Sequence, residues 1–330
     1  WAEEGYSIAD AQFSLSEQNT SNGTAKGTDG TMGFPVLPSY TSAGGSLSVS
    51  GNTVSGTDNN GKAYSIVFDS TGKMTSWTYD GKSLIAEGPD FNSYRKVDND
   101  RNFSTTFTKS TSMSISNGLT MSGTNATMTV KGGSRYTTVY TFYPDGTVDM
   151  KVTFSSSSSL ARIGLGMQFA SGFENVEFYA RGPRSNYSDR KTGSYLGRFT
   201  TTVDDMVDEM IHPQTFGDHE DMRELILTNK ASNVQIGIKA GGRASFSLSH
   251  YDETKWCTSG DSMWNTKLHW YDLTRNPQVY AHFDYMQRGL GNNSCGGDGC
   301  LSDYVCPSSG SYSYTLRFTP QSGGNAQITE

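Results

Sequence analysis

The chain has 330 residues, 18% of them charged and 34% hydrophobic, which is long enough for one large hydrophobic core. Its formal net charge of −7, spread without acidic blocks, argues against nucleic acid and anionic membranes as partners. No apolar run approaches the ~18 residues that a membrane-spanning helix needs, so no membrane segment is expected.

The N-terminal region is predicted to precede the main domain. Residues 1–17 end in an apolar/polar alternation that indicates a β-strand, and one strand alone has no sheet to join. We therefore expect residues 1–17 to be the end of a preceding domain. Residues 18–43 are predicted to be a linker, because the stretch up to Gly33 has no periodicity and is rich in Gly, Ser, Thr and Asn. The main domain is then 44–330.

The main domain is predicted to be all-β. Alternating apolar residues indicate strands with one buried face in four segments, 64–68, 148–154, 234–238 and 312–318. Asp-Gly pairs at 80–81 and 145–146 tolerate the positive φ of tight antiparallel turns. A helical pattern is limited to one short turn within 204–210. Many strands without crossover helices predict a large antiparallel two-sheet sandwich.

A dense polar cluster follows one predicted strand. The strand Val176–Tyr179 runs into Gly182-Pro183, which must turn, and the cluster then includes Arg181, Asn186, Asp189 and Arg190. One interpretation is an internal Asp–Arg network that holds a loop, since buried charges persist when they are paired. The other interpretation is one wall of a polar, sugar-facing cleft.

The usual catalytic motifs are absent from the sequence, and no catalytic residue or metal ligand is assigned. Glycosidic cleavage needs two carboxylates at a defined separation. Asp189, Asp284 and Asp298 lie in predicted polar loops, but nothing marks two of them as an acid and a nucleophile. His212 and His219 bracket an acidic loop, for which a solvated turn is favoured over a cation site; its acidic residues are Asp218, Glu220 and Asp221.

All four cysteines lie in the last quarter of the chain: Cys257, Cys295, Cys300 and Cys306. Zinc is disfavoured because no CxxC occurs and no histidine lies within the cluster. A loop disulfide in an exported protein is favoured, with its pairing left open. This favours an extracellular or cell-surface location over the cytoplasm.

Several motifs, in order along the chain, resemble the C-terminal region of the large family 2 β-galactosidases, called domain 5 or the small chain. The most specific is Gly182-Pro183…Asn186-Tyr187…Asp189-Arg190. The others are residues 1–13, 91–100, 161–168, 212–214, Arg223, His269, Leu273 and 284–291. The resemblance implies a β-supersandwich of the galactose-mutarotase-like type, preceded by the last strand of an immunoglobulin-like domain.

In function, the resemblance implies a domain that packs on a catalytic (β/α)₈ barrel, completes the galactoside pocket and is inert alone. Asn292, Asn293, Ser294 and Cys295 would line the pocket, with Cys295 standing where well-known members place a Trp. Asp98, Asn99, Asp100 and Arg101 would form a mobile flap. Arg181, Asn186, Asp189 and Arg190 would be a supporting network.

The resemblance also implies where cofactors and catalytic groups lie. The two catalytic glutamates and the magnesium ligands are expected on the barrel, upstream of Trp1. No cofactor is therefore expected in this chain, whereas Mg²⁺ and Na⁺ are expected in the parent enzyme. The family's sodium site uses backbone carbonyls near the position of His212-Pro213.

Two other functions remain open. The Gly/Ser/Thr linker also suits an autonomous carbohydrate-binding module of an exported, multimodular glycan-degrading protein. A purely structural domain that holds the subunits of a homo-oligomer together is the third hypothesis. The expected small-molecule partner is a β-galactoside or another glycan.

Overall fold

A computed structural model describes residues 3, 12, 33–97, 112–156, 160–255, 269–291 and 300–323. Within these residues the strands form three sheets, and every neighbouring pair of strands is antiparallel. The five-stranded sheet follows chain order: β1 (Ser46–Ser50), β2 (Thr53–Thr57), β3 (Ala63–Phe68), β4 (Met74–Tyr79) and β5 (Lys82–Ser83). The four-stranded sheet contains β6 (Ile85–Asn92), β11 (Arg162–Phe169), β16 (Ser245–Ser249) and β17 (Val279–Gln287).

The nine-stranded sheet is the larger layer, with the order β13-β12-β14-β15-β18-β10-β9-β8-β7. Its strands are β7 (Met113–Ser122), β8 (Asn125–Gly132), β9 (Tyr136–Phe142), β10 (Val148–Ser156), β12 (Asn175–Gly182), β13 (Tyr195–Thr202), β14 (Glu224–Asn229), β15 (Val234–Gly241) and β18 (Gly310–Ser322). In the four-stranded sheet the order is β16-β17-β11-β6.

Aromatic contacts show that the two smaller sheets together form the second layer. From the four-stranded sheet, the ring of Phe283 lies 5.9 Å from that of Phe318 on β18. From the five-stranded sheet, the ring of Trp77 lies 5.9 Å from the same Phe318. Phe68 on β3 likewise packs 5.3 Å from Tyr140 on β9. One continuous core therefore fills a two-layer sandwich, which confirms the predicted all-β antiparallel fold.

The local sequence predictions are confirmed where the structure describes them. The four alternating segments lie in β3, β10, β15 and β18, with one face of each buried. Asp80 and Gly81 have φ of 49° and 72° in the β4–β5 turn, and Gly146 has φ of 83° between β9 and β10. The predicted short turn is the 3₁₀ helix Asp204–Met206.

Part of the predicted linker contacts the sandwich. Residues 33–43 form no regular secondary structure, but the Gly242 amide donates to the Pro35 carbonyl at 2.7 Å, and Arg317 Nη1 donates to the Pro38 carbonyl at 3.1 Å. Of residues 1–17, only Glu3 and Gln12 are described. The Gln12 side-chain amide exchanges two hydrogen bonds with the backbone of Leu196, on β13. The domain boundaries at 17 and 43 stay predictions.

The predicted disulfide also stays a prediction, because Cys257 and Cys295 lie outside the described residues. Cys306 is buried, with its Sγ 3.8 Å from the Met286 carbonyl oxygen, and Cys300 is half-buried. None of the helices in the described part of the chain is long and apolar enough to cross a membrane.

Candidate functional site

The polar turn after β12 is built around two side chains that the sequence placed in a supporting network. Arg181 is buried; its Nε lies 2.5 Å from Asp221 Oδ2, and its Nη1 donates to the Ser194 carbonyl at 2.9 Å. Burial works to raise the pKa of Asp221, but the cations Lys191 and Arg181 outweigh it and hold this pKa below its usual value. This pair is therefore an ionised, hydrogen-bonded anchor at the start of the turn.

Asn186 fixes the path of the same turn. Its Nδ2 donates to the carbonyls of Arg181 and Arg184, both at 3.0 Å, and its Oδ1 accepts from the Glu220 amide at 3.0 Å. Its own amide donates to the Asp218 carbonyl at 2.7 Å. Since Asn186 is fully buried and every hydrogen bond goes to backbone, it shapes the turn.

Asp189 connects the turn to the segment that leads into the predicted pocket loop. Its two carboxylate oxygens accept from the amides of Leu290 at 3.0 Å and Gly291 at 2.7 Å. A Cβ at position 289 would lie 2.5 Å from Asp189 Oδ2, so this approach needs the glycine present there. Asp189 therefore holds residues 290–291 in place. These two residues are the stem that leads into residues 292–295.

Arg190 is not part of this buried network. Its side chain is exposed, and its guanidinium lies 5.6 Å from the centre of the Tyr187 ring. Of the four predicted supporting residues, Arg181 and Asn186 therefore hold the turn, Asp189 holds the neighbouring segment, and Arg190 lies at the surface.

A second side chain joins the stems of the two predicted pocket segments. Arg95 is buried, and its guanidinium donates to the carbonyl of Arg288 and, at 3.1 Å, to that of Gly289. The Lys96 amide donates to Thr215 Oγ1 at 3.0 Å, and the Thr215 amide donates to the Lys96 carbonyl at 2.7 Å. The segment before residue 98 and the segment before residue 292 therefore lie side by side. Asp98, Asn99, Asp100 and Arg101, and likewise Asn292, Asn293, Ser294 and Cys295, lie outside the described residues, so their roles stay predictions.

Beneath this end of the sandwich lies a buried charge cluster that the sequence did not predict. Arg162 and Asp284 are both fully buried, with Nε and Oδ2 2.9 Å apart, and Arg162 Nη1 lies 3.6 Å from Glu253. Burial raises the pKa of Asp284 to about 7, although Arg162 acts in the opposite direction. Burial also raises the pKa of Asp218, and Glu220 and Asp284 raise it further. The dominant cause of both upward pKa shifts is therefore burial.

Two sequence predictions are corrected by this cluster. Asp284 lies within β17 and not in a polar loop, because that strand alternates between a core face and a polar face. The acidic loop of Asp218, Glu220 and Asp221 is buried and not a solvated turn. Cations distant in sequence compensate its charge: Arg181 and Lys191 at Asp221, and Arg243 Nη2 at 3.9 Å from Glu220. The bracketing His219 is buried, and burial lowers its pKa to about 4, so it is neutral.

One cluster among the described residues has the spacing of a metal site: Glu174, Asp204 and His250. Arg275 already supplies a positive charge there, with its Nε 2.9 Å from Asp204 and its Nη2 3.2 Å from Glu174. We therefore interpret it as an ion-pair cluster. The sodium site that the resemblance implies would use backbone carbonyls near His212-Pro213, and it stays a prediction.

The described residues form an all-β, antiparallel two-layer sandwich with two anchored loop stems at one end. Among solved structures, the chain is similar to the galactose 1-epimerase of Lactobacillus acidophilus, with a TM-score of 0.49 and 8% identity over 82% of this chain and 94% of that one. It is also similar to a galactose mutarotase-like protein of Clostridium acetobutylicum, with a TM-score of 0.45 and 9% identity over 84% of this chain and 98% of that one.

The sequence comparisons are more specific. The β-galactosidase small chain family matches residues 60–318, and this chain belongs to that family. It is 25% identical to a β-galactosidase of Priestia megaterium, covering 97% of this chain and 30% of the relative. It is 32% identical to one of Staphylococcus xylosus over 45% of this chain and 13% of the relative. The chain thus spans less than a third of the length of these relatives.

Proposed function

We propose that this chain is the part of a β-galactosidase that packs on the catalytic barrel and closes one side of the galactoside pocket. The observation that carries the proposal is the pair of anchors, Arg95 and Asp189. They bring together the stems of residues 98–101 and 292–295 at one end of the sandwich. Two loops that start from one rigid base are suited to line a common pocket, because a site on a firm support is positioned most precisely.

Among the residues that the structure describes, the carboxylates near this end do not suit glycoside hydrolysis by themselves. A retaining glycosidase needs two carboxyl groups facing the scissile bond. Asp189 accepts backbone hydrogen bonds with both oxygens, and Asp221 is paired with Arg181. Asp218 and Asp284 are fully buried. The catalytic pair would therefore belong to the parent's barrel, and the chain alone would be inert.

Asp189→Ala in the intact parent enzyme tests this role. Loss of the two acceptors would free the amides of Leu290 and Gly291 and displace the loop that follows. A displacement of about 1 Å reduces catalysis about 100-fold, so we expect kcat/KM for a β-galactoside to fall about 10- to 100-fold. Hydrogen exchange at the two amides would be faster in the same variant.

Asp205→Ala is the matched control, since this exposed aspartate bonds locally to Thr202 Oγ1 at 2.7 Å. It should leave kinetics and amide exchange at 290–291 unchanged. Faster amide exchange in Asp189→Ala with unaltered galactoside kinetics would exclude the pocket role of this loop.

A further inference from the structure

The four-stranded sheet has a polar face opposite its core face. On β17, Ala281 and Phe283 point into the core, whereas Tyr280, His282 and Asp284 lie on the other face. The neighbouring β11 carries Gly164, Gly166 and Gln168 on that same face, where Gly166 pairs with His282 and with Asp90 of β6. Because Gly164 and Gly166 of β11 have no side chains, they leave room between the polar side chains of the strands on either side.

This room is a pocket. The open space between its walls is about 570 Å³, including the part that opens to solvent. One wall is the segment 252–254, and the sheet supplies the floor and the other walls. The polar side chains that line it are Glu87, Asp90, Asn92, Gln168, Asp252, Glu253, Thr254 and His282, with Tyr280 as an aromatic neighbour. The residues of the two anchors, Arg95 and Asp189, are not among those lining it.

The protonation state of His282 follows from its neighbours. Asn92 Oδ1 accepts from the Tyr94 amide at 2.8 Å, which orients Nδ2 towards His282 Nδ1 at 3.0 Å. Nδ1 is therefore the acceptor, and the ring proton is on Nε2. Burial, with a further contribution from Arg162, lowers the pKa of His282 well below its usual value, so the ring is neutral.

His282 and Glu253 together can hold a hydroxyl group. The Nε2 atom lies 3.6 Å from Glu253 Oε1, which is too long for a hydrogen bond between them. A ligand hydroxyl between the two would accept from Nε2–H and donate to the carboxyl group. The Tyr280 ring offers apolar surface to the carbon-bound hydrogens of the same ligand.

The charge of the walls selects the class of ligand. Lys73 Nζ, 2.8 Å from Glu87 Oε1, balances the charge of that carboxylate, and Gln168 Nε2 donates to Glu87 Oε2 at 2.6 Å. Glu253 lies near Arg162. Four carboxyl groups around the space disfavour an anionic ligand. Lys73 and Arg162 already balance part of this negative charge, which reduces the attraction for a cationic ligand. A neutral molecule with several hydroxyls fits both conditions.

We propose that this pocket on the polar sheet face binds a neutral monosaccharide, with one sugar hydroxyl held between His282 and Glu253. This would be a second sugar site, separate from the pocket proposed at the loop end and independent of it. A ligand of this size with few polar anchors is expected to bind in the millimolar range.

Titration of the 330-residue chain with galactose and with glucose, followed by calorimetry and NMR, tests this site. We expect millimolar binding of at least one hexose, with signals of His282 and Tyr280 shifting on addition. His282→Gln should weaken binding at least tenfold. Tyr280→Leu, on the pocket wall, provides a second variant with less risk to folding and should also weaken binding tenfold.

Two controls separate this site from the others. Tyr271→Leu removes an exposed ring outside the pocket and should leave binding unchanged. Asp189→Ala perturbs the loop-end pocket and should also leave this binding unchanged. Absence of binding of either hexose at about 100 mM would overturn the proposal. Hexose binding that survives His282→Gln and Tyr280→Leu but is lost in Asp189→Ala would also overturn it. So would tighter binding of the cation choline than of either hexose.

Discussion

Replacing Arg162 by methionine is expected to lower the free energy of unfolding by about 3–5 kcal/mol at pH 8. Arg162 is fully buried beside Asp284 at 2.9 Å and Glu253 at 3.6 Å, and it also lowers the pKa of Asp218 against the effect of burial. Methionine fills similar space without charge, so these carboxyl groups would lose their shared cation. Denaturant unfolding measures the loss.

The matched control is Lys62→Met. Lys62 and Asp80 also lie 2.9 Å apart, but both side chains are more than a third exposed. An exposed pair of this kind contributes less than about 1 kcal/mol. If Arg162→Met and Lys62→Met lowered the free energy of unfolding by the same amount, burial of the Arg162 cluster would have no effect on stability.

The pH dependence gives this prediction a second readout. Burial raises the pKa of Asp284 to about 7, compared with about 3.9 in an unfolded chain. The folded state therefore binds more protons between these values, and this group's contribution to stability falls as pH rises from about 4 to about 7. Loss of Arg162 raises the pKa of Asp284 further. The deficit of Arg162→Met should therefore be larger at pH 8 than at pH 5.

Gly164→Ala is expected to destabilise the domain by about 3 kcal/mol or more. A Cβ at this position on β11 would lie 1.9 Å from Asp284 Oδ1 and 2.7 Å from both Asp284 Cα and the Phe283 carbonyl oxygen. Two of these neighbours are backbone atoms of β17, which cannot move without disturbing the strand pairing. The substitution therefore strains the sheet at the buried Arg162–Asp284 pair.

Gly237→Ala provides the control in another interior strand, β15. A Cβ there would meet only the Thr319 carbonyl oxygen, at 3.8 Å, which is an ordinary contact. We expect a change within about 0.5 kcal/mol. A thermal unfolding comparison in which both alanine variants match the unsubstituted chain would contradict the close packing at Gly164.

The strands could be predicted from the sequence where one face is buried and the other is polar. The alternation in β3, β10, β15 and β18 records that asymmetry directly. The sheet order could not be predicted, because β18 pairs with both β10 and β15, far away in the chain. Such long-range pairing leaves no local pattern in the residues.

The candidate site could be predicted in part. The polar residues after Gly182-Pro183 indicated a network, and Arg181 and Asn186 form one. The partners of Asp189 could not be predicted, since backbone amides such as those of Leu290 and Gly291 carry no side-chain signature. The burial of Asp218 and Asp284 was missed because acidic residues are usually exposed, and their compensating cation, Arg162, lies on another strand.

Hydrolysis of a nitrophenyl β-galactoside by a mixture tests most directly whether this chain completes a β-galactosidase pocket. The mixture contains the 330-residue chain and a parent enzyme that lacks this region. We expect neither component to hydrolyse the substrate alone, the mixture to do so, and Asp189→Ala in the added chain to weaken that activity. Hydrolysis by the pure chain, or full activity of the shortened parent without it, would contradict the proposed role.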